Sequence, residues 1–252
     1  MTEPAEFPVS APLAPQRAPV RALAEMLLCS SYPTQLLLAG LLLRFGVGGT
    51  GEAGLSLTFV AIVSLADTAI VVGLMLWFLK SNGQTPASLW LGQRPVFPEI
   101  VTGILASPLV FLGVGLLLLA IQRLAPWLHD VPDNPLQSMA RGSLMNAVVL
   151  GIVAVMAGAV REELQRAFLL DRFEQHVGPV WVGVVLLSVI FGLGHLLQGR
   201  DAAIATGTLG ACWAALYVKR RSIVVALVSH AVFNSLEVIQ MVGQQVEGRS
   251  AF

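Results

Sequence analysis

Two neighbouring carboxylates, Glu162 and Glu163, stand at the end of a long apolar run, and Arg166 follows closely behind them. An acidic side chain near the centre of a membrane helix costs about 2.5 to 3.5 kcal/mol on insertion scales, so a pair requires a polar cavity, cationic partners or a catalytic role. On a helix that turns about 100° per residue, the two side chains face different directions. Arg166 is four residues after Glu162 and three after Glu163, so it can pair with either. We predict that it pairs with the carboxylate that does no chemistry and leaves the other free.

A phenylalanine and a histidine four residues apart, Phe191 and His195, form a second group late in the next apolar run. Residues at this spacing share a helical face, so the aromatic ring can pack against the imidazole. Taken alone, His195 is explained equally well as an intramembrane histidine that hydrogen-bonds a neighbouring helix. What this histidine does therefore depends on the groups that lie near it.

The last apolar run carries three polar residues on one helical stripe, His230, Asn234 and Glu237. An imidazole, an amide and a carboxylate on the same face are hard to reconcile with an apolar core. For His230 and Asn234, an interhelical hydrogen-bond ladder is the structural alternative to a functional site. Glu237 lies near the far end of the helix, where a position at the membrane interface is the better interpretation.

The composition identifies the class of protein that must position these groups. Of the 252 residues, 56% are apolar and 12% are charged, whereas soluble domains carry roughly 25% charged residues. We therefore expect an all-α fold, a polytopic membrane helix bundle of about seven transmembrane helices with the site inside the bundle. The formal net charge of zero gives no reason to expect nucleic acid as a partner, and the lipid bilayer is the expected environment.

Seven apolar runs approach the roughly 20 residues that a membrane-spanning helix needs. They cover residues 25–47, 55–79, 99–121, 138–173, 180–197, 202–218 and 223–242. We predict a disordered cytoplasmic tail at residues 1–23, N-terminal transmembrane helices and loops at 24–137, and a catalytic transmembrane core at 138–245. The distribution of lysine and arginine among the connections predicts a multi-pass protein of the cell membrane with a cytoplasmic N-terminus.

The predicted helix lengths bear on whether Glu162 and His195 can meet. Glu162 lies about 15 Å before a helix end near Phe173, whereas His195 lies about 25 Å beyond the turn at Gly178. The two side chains share a site only if the connector around His176 lies deeper in the cytoplasm or if the helices tilt strongly. We expect one or both of these arrangements.

Together the glutamate pair with Arg166, Phe191-x-x-x-His195 and His230-x-x-x-Asn234 resemble a known family. They are similar to the motifs of the CPBP intramembrane proteases, which include the type II CAAX prenyl endopeptidases and the bacteriocin-processing Abi proteins. The resemblance covers roughly residues 138–242. The segment from Ala87 to Gly92 also resembles a Leu-Gly element that these proteins often carry before their third span.

The resemblance implies a peptidase and assigns roles to the residues that match. Glu162 would activate the hydrolytic water with the assistance of His195, and His230 and Asn234 would stabilise the oxyanion. Glu163, Arg166 and Phe191 would support these groups. The chemistry of the residues agrees, because peptide hydrolysis needs a general base, a water and donors aimed at the developing negative oxygen.

The dependence on a metal stays open at this point. Glu162, His195 and His230 make a plausible set of three zinc ligands with a water in the fourth position. The sequence contains no His-Glu-x-x-His motif, and the family has been described both as metal-dependent and as a metal-free glutamate protease. Asn234 suits an oxyanion donor better than a zinc site, so we favour no cofactor and keep zinc as the alternative.

Two other functions compete with proteolysis. A membrane scaffold or regulator could retain the polar site for stability, and a proton-coupled transporter could use Asp67, Glu162 and Glu237 as relay carboxylates. A transporter has no need of a histidine and an amide four residues apart beside a glutamate, which favours the protease. The expected substrate is a membrane-embedded or lipidated peptide or protein, with a prenylated C-terminus and a bacteriocin leader as equal candidates.

Overall fold

The computed structural model of the chain describes residues 19–48, 56–132, 134–140 and 143–250. Within these ranges the protein is helical and contains no β-strand. The helices are α1 Pro19–Leu28, α2 Tyr32–Arg44, α3 Leu57–Ser81, α4 Pro86–Trp90, α5 Val96–Leu124, α6 Pro135–Ala140, α7 Leu144–Val153, α8 Glu162–His176, α9 Val180–Leu193, α10 Arg200–Arg220 and α11 Val224–Ser250. A π-helical segment, Ala154–Arg161, joins α7 to α8 without a break.

Six helical stretches of the described chain are long and apolar enough to cross a membrane. They are Pro19–Arg44, Leu57–Ser81, Val96–Leu124, Leu144–His176, Arg200–Arg220 and Val224–Gly243. The apolar helix Val180–Leu193 is shorter, with 14 residues. The prediction of an all-helical, multi-pass membrane bundle is confirmed.

The N-terminal region departs from its prediction in two ways. Helix α1 begins at Pro19, so the last five residues of the predicted tail are helical, because proline is preorganised for a first helical turn. Residues 1–18 lie outside the described residues. The predicted first span is two helices, since Ser31 has a left-handed backbone (φ 68°) and the next helix begins at Tyr32 with Pro33 in its first turn.

The helix that carries the glutamate pair also begins and ends at other residues than predicted. It starts at Leu144 rather than at 138, because Ser143 caps it by accepting a hydrogen bond from the Asn146 N–H at 3.1 Å. Helix α6 is a separate short element before it. At the other end the helix continues to His176, three residues beyond Phe173, and the chain turns at Gly178 and Pro179.

Helix α8 lies at the centre of the main apolar core. Its buried side chains Phe168 and Leu170 pack with Met75 and Val71 of α3 and with Tyr217 of α10. This burial on several sides holds the start of α8, where the glutamate pair lies, at a fixed position in the bundle.

Helices α9 and α10 approach each other through small residues. A Cβ added at Gly192 would lie 2.7 Å from the Ala203 carbonyl oxygen and 3.2 Å from the Cα of Gly207. Close backbone approach of this kind is the usual way in which membrane helices pack. The contact fixes the end of α9, which leads into His195.

The predicted Leu-Gly element docks α4 onto the junction between α10 and α11. Trp90 donates from Nε1 to the Leu164 carbonyl at 3.2 Å, and its own carbonyl accepts from the Ile223 N–H at 2.8 Å. Gly92 follows with a left-handed backbone, φ 61°, and lies directly against the Arg221 carbonyl. Only glycine fits this position.

Gly92→Ala is therefore expected to destabilise the protein by more than the left-handed backbone alone costs, which is about 1 to 2 kcal/mol for an L-residue. The added Cβ would overlap the Arg221 carbonyl oxygen, a backbone atom that cannot move away cheaply. Gly83→Ala is the matched control, because Gly83 also has a positive φ, 68°, but nothing lies within 4 Å of an added Cβ. Unfolding in detergent measures both variants. Equal losses at the two positions would contradict the docking role of Gly92.

Candidate active site

A cavity of about 410 Å³ lies between the π-helical segment, α10 and α11. Its walls include the four residues predicted to be catalytic, Glu162, His195, His230 and Asn234. Glu237, which was expected at the membrane interface, lines the same cavity. Residues from three separate helical regions are thus brought to one place.

The lengths of α8 and α9 explain how Glu162 and His195 come to line one cavity. Helix α8 has 15 residues and α9 has 14, which correspond to about 22 Å and 21 Å. Because α8 continues to His176, the turn lies farther from Glu162 than a helix end at Phe173 would place it. The two helix lengths are therefore nearly equal, as the first of the two expected arrangements, a more distant connector, requires.

His195 lies just beyond the end of α9 and not inside it, since the helix ends at Leu193. Its Nδ1 lies 2.8 Å from the Phe191 carbonyl oxygen, and the two rings meet edge to face with centroids 4.8 Å apart. A carbonyl oxygen can only accept, so the shared proton belongs to Nδ1. The Nε2 lone pair of the neutral ring is then available to accept a proton.

Arg166 pairs with Glu163, not with Glu162, and the contact joins Arg166 Nη1 to Glu163 Oε1. The same carboxylate oxygen lies 2.8 Å from Nδ1 of His230. Glu163 and His230 are both buried, with 1% and 4% of their surfaces exposed. Glu163 thus links α8 to α11 and orients the histidine ring, a contact that the sequence did not predict.

Trp213 of α10 completes the surroundings of His230. The indole stacks on the imidazole with ring centroids 3.7 Å apart and planes within 14°. The Arg166 guanidinium lies 5.9 Å from the Trp213 ring and 5.0 Å from the Phe191 ring. The position of Trp213 in the middle of a span is a hint of this role, because membrane tryptophans usually lie near the interfaces.

Glu162 is held by Arg161, whose Nη2 lies 3.3 Å from its Oε1. The other amino group of Arg161 lies 2.6 Å from Asp67 Oδ2 and 2.5 Å from Ser31 Oγ. Asp67 also accepts from Thr34 and, at 3.1 Å, from Gln35 Nε2. Asp67 stood alone in the sequence, and the structure shows it as the counter-ion that neutralises Arg161.

The π-helical segment shapes the wall opposite α11. Asn234 donates from Nδ2 to the Ala154 carbonyl at 2.7 Å, at the start of this segment. Gly158 lies across from it, and a Cβ added there would come within 2.6 Å of Asn234 Nδ2. The wider turn of a π-helix often marks a functional site. The second N–H of the Asn234 amide donates to no acceptor among the described residues.

A second cavity, of about 360 Å³, is also lined by Glu162. Its wall is mainly apolar and runs from the α1–α2 junction to α9, with Met26, Leu27, Leu187 and Ile190 among its residues. Arg161, Glu162, Phe191 and His195 line both cavities. These four residues separate an apolar groove from a more polar cavity.

The donor groups named for zinc do not converge on one point. Among the residues described, no three histidine, cysteine, aspartate or glutamate side chains lie close enough together to hold a metal ion. In this arrangement Glu162, His195 and His230 therefore do not form a three-ligand site. The Nδ1 atoms of His195 and His230 are engaged by the Phe191 carbonyl and by Glu163, which leaves Nε2 of each ring for another partner.

A comparison with protein families identifies the part of the chain that carries these groups. Residues 143–236 match the family described as type II CAAX prenyl endopeptidase, Rce1-like. The matched segment includes the glutamate pair, both histidines of the cavity and Asn234. No curated protein and no solved structure matches the chain. Residues 143–236 are therefore similar to the Rce1-like type II CAAX prenyl endopeptidases, the membrane protease family that the motifs resemble.

Proposed function

We propose that the protein is an intramembrane endopeptidase in which Glu162 activates the water that hydrolyses a peptide bond. The observation that carries the proposal is the convergence of Glu162, His195, His230 and Asn234 on one cavity. A carboxylate, two imidazoles and an amide supply a general base, a proton acceptor and oxyanion donors. No step of the reaction is assigned to a metal.

Glu162 and His195 supply the base function. One carboxylate oxygen of Glu162 is held by Arg161, which leaves the other oxygen to accept a proton from water. Arg161 does not dominate the field at Glu162, because Asp67 neutralises it from the far side. The Nε2 lone pair of His195 is the second acceptor in the same cavity.

His230 and Asn234 supply the donors for the oxyanion. The contact of His230 Nδ1 with Glu163 leaves Nε2 as the ring atom that can serve the substrate. Nε2 is a hydrogen-bond donor when it carries a proton, and the stacked Trp213 ring holds the imidazole in place. The second amide proton of Asn234 is the other donor.

Gly158→Ala tests the placement of Asn234. We expect kcat/KM for peptide hydrolysis to fall by up to about 10²-fold, the effect of misplacing a group by about 1 Å. Stability should stay the same or rise, because the end of a flexible side chain moves away from the new Cβ and alanine favours a helix.

Gly151→Ala is the matched control on the same helical stretch. Its added Cβ meets Val238 Cγ1 at 3.7 Å, an ordinary van der Waals distance. This variant should keep the wild-type rate. A Gly158→Ala protein that is folded and as active as wild type would contradict the role of Asn234.

The substrate proposed for this site is a membrane-embedded or lipidated peptide or protein. The apolar groove beside Glu162 suits a lipid chain or an apolar segment, and the polar cavity suits the peptide backbone at the scissile bond. Prenylation of the substrate is one form that this lipid could take. A cytoplasmic N-terminus, and with it the side from which the substrate enters, stays a prediction.

The position of Asp67 argues against the proton-coupled transporter, which would use this residue as a relay carboxylate. Asp67 is fully buried and bound by Arg161, Thr34 and Gln35, and it does not line the cavity that holds Glu162 and Glu237. The arrangement of donors around a carboxylate supports hydrolysis more directly than proton transfer. A membrane scaffold could have the same structure, so only a measurement of peptide cleavage distinguishes it from the protease.

That test uses purified protein in mixed micelles with lipidated, internally quenched peptides, in buffer with and without a metal chelator. The proposed function predicts cleavage at an internal bond that persists with the chelator and disappears in Asn234→Ala. Cleavage that the chelator abolishes would contradict the metal-free mechanism. No cleavage by folded wild-type protein would favour the scaffold.

A further inference from the structure

Glu237 is a carboxylate of the cavity to which the proposed reaction assigns no role. It lies on α11 three residues after Asn234 and seven after His230, and all three side chains line the same cavity. Within the described part of the chain, Glu237 makes no hydrogen bond and no ion pair. Its side chain is exposed, so it is a carboxylate open to a ligand in the cavity.

The two arginines beside the cavity are already paired with other carboxylates. Arg161 pairs with Asp67 and Glu162, and Arg166 pairs with Glu163. Glu237 adds a further carboxylate, with which neither arginine pairs. The remaining polar side chains of the cavity, apart from the proposed catalytic residues and Trp213, are neutral: Ser64, Asn134, Gln198 and Thr206. A cation from outside would balance Glu237.

The position of Glu237 on α11 determines how far from the scissile bond the cation of the substrate has to lie. Three residues of α11 separate it from the proposed oxyanion donor Asn234, which is about 4.5 Å along the helix axis. An extended peptide advances about 3.3 to 3.6 Å per residue. A lysine or arginine within about two residues of the scissile bond can therefore bring its charge to Glu237.

We propose that Glu237 is a specificity-determining residue that binds a lysine or arginine side chain of the substrate close to the scissile bond. The inference rests on the proposed function and deepens it by naming a substrate class. It also means that a substrate whose free C-terminal carboxylate falls near Glu237 is disfavoured, because like charges in a desolvated interface repel.

The experiment uses lipidated, internally quenched peptides with an alanine-rich centre. A single lysine, glutamine or glutamate is moved through six central positions, and kcat/KM is measured with full-length protein in mixed micelles. At one or two positions, wild type should cleave the lysine peptide about tenfold or more faster than the glutamate peptide. Glu237→Gln should bring this ratio close to one, and Glu237→Lys should invert it.

Gln240→Lys is the control for added charge, because Gln240 is exposed on the same helix and does not line the cavity. It should keep the wild-type ratio. Equal cleavage of lysine and glutamate peptides by wild type, or an unchanged ratio in Glu237→Gln, would overturn the inference while leaving the proposed function intact. Absence of cleavage of every peptide by wild type would count against both.

Discussion

Glu162→Gln is expected to lower kcat/KM for peptide hydrolysis by about 10² to 10⁴-fold, the usual contribution of a general base. Glutamine keeps the size of the side chain and can still accept a hydrogen bond from Arg161, so the fold and the cavity should remain. It cannot take a proton from water. The measurement is the rate of internal cleavage of a lipidated peptide by purified protein.

Glu174→Gln is the matched control on the same helix. Glu174 lies at the other end of α8, where its Oε1 lies 2.8 Å from Arg221 Nη2 at the protein surface. Exposed ion pairs contribute about 0 to 1 kcal/mol, so this variant should keep both activity and stability. A folded Glu162→Gln protein with the wild-type rate would remove Glu162 from the mechanism.

Glu163→Leu is expected to destabilise the protein by about 3 to 5 kcal/mol, the effect of breaking a buried ion pair by removing one partner. Arg166 and His230 would each lose the carboxylate that they share. The predicted change in the free energy of unfolding is much larger than for Glu162, which is paired with an arginine that keeps a second partner in Asp67. Denaturation of the purified protein in detergent measures the effect.

The double variant Glu163→Leu, Arg166→Met separates stability from activity. Replacement of both partners by apolar groups is often neutral for a buried pair, so much of the lost stability should return. Activity should not return, because His230 still lacks the acceptor that orients its ring. A double variant as unstable as the single one would contradict the view of Glu163 and Arg166 as one buried unit.

The sequence predicted the elements of the site better than its contacts. Residues three or four apart on one helix, such as His230 and Asn234, share a face by helical geometry alone, so their common stripe could be read directly. One cavity is lined by Glu162, His195 and this stripe, as expected from the three motifs of the resemblance. Local periodicity is therefore sufficient to identify which groups point inward.

Helical periodicity does not predict contacts between segments that are distant in the sequence. Asp67 and Arg161 are 94 residues apart, and their pairing depends on how α3 packs against the π-helical segment. The contact between Glu163 and His230 likewise spans 67 residues. A membrane aspartate and a neighbouring-span arginine could have been considered as partners, but the choice among several arginines needs the fold.

Helix ends were the other source of error. The sequence favoured a helix end near Phe173, whereas α8 continues to His176 and stops before Pro179, which disfavours helical backbone in the residue before it. Three more residues move the turn about 4.5 Å farther from Glu162 along the helix axis. The break in the first span lies at Ser31, whose left-handed backbone is not a serine preference, and Pro33 two residues later is the signal in the sequence that points to it.

Hydrolysis of peptide bonds with Glu162 as the base can be tested before any substrate is known. The measurement is a comparison of protein termini in host membranes that contain equal amounts of wild type, Glu162→Gln or Glu174→Gln. We expect new termini with wild type and Glu174→Gln that are absent with Glu162→Gln. Identical termini in all three membranes, with each protein folded, would contradict it.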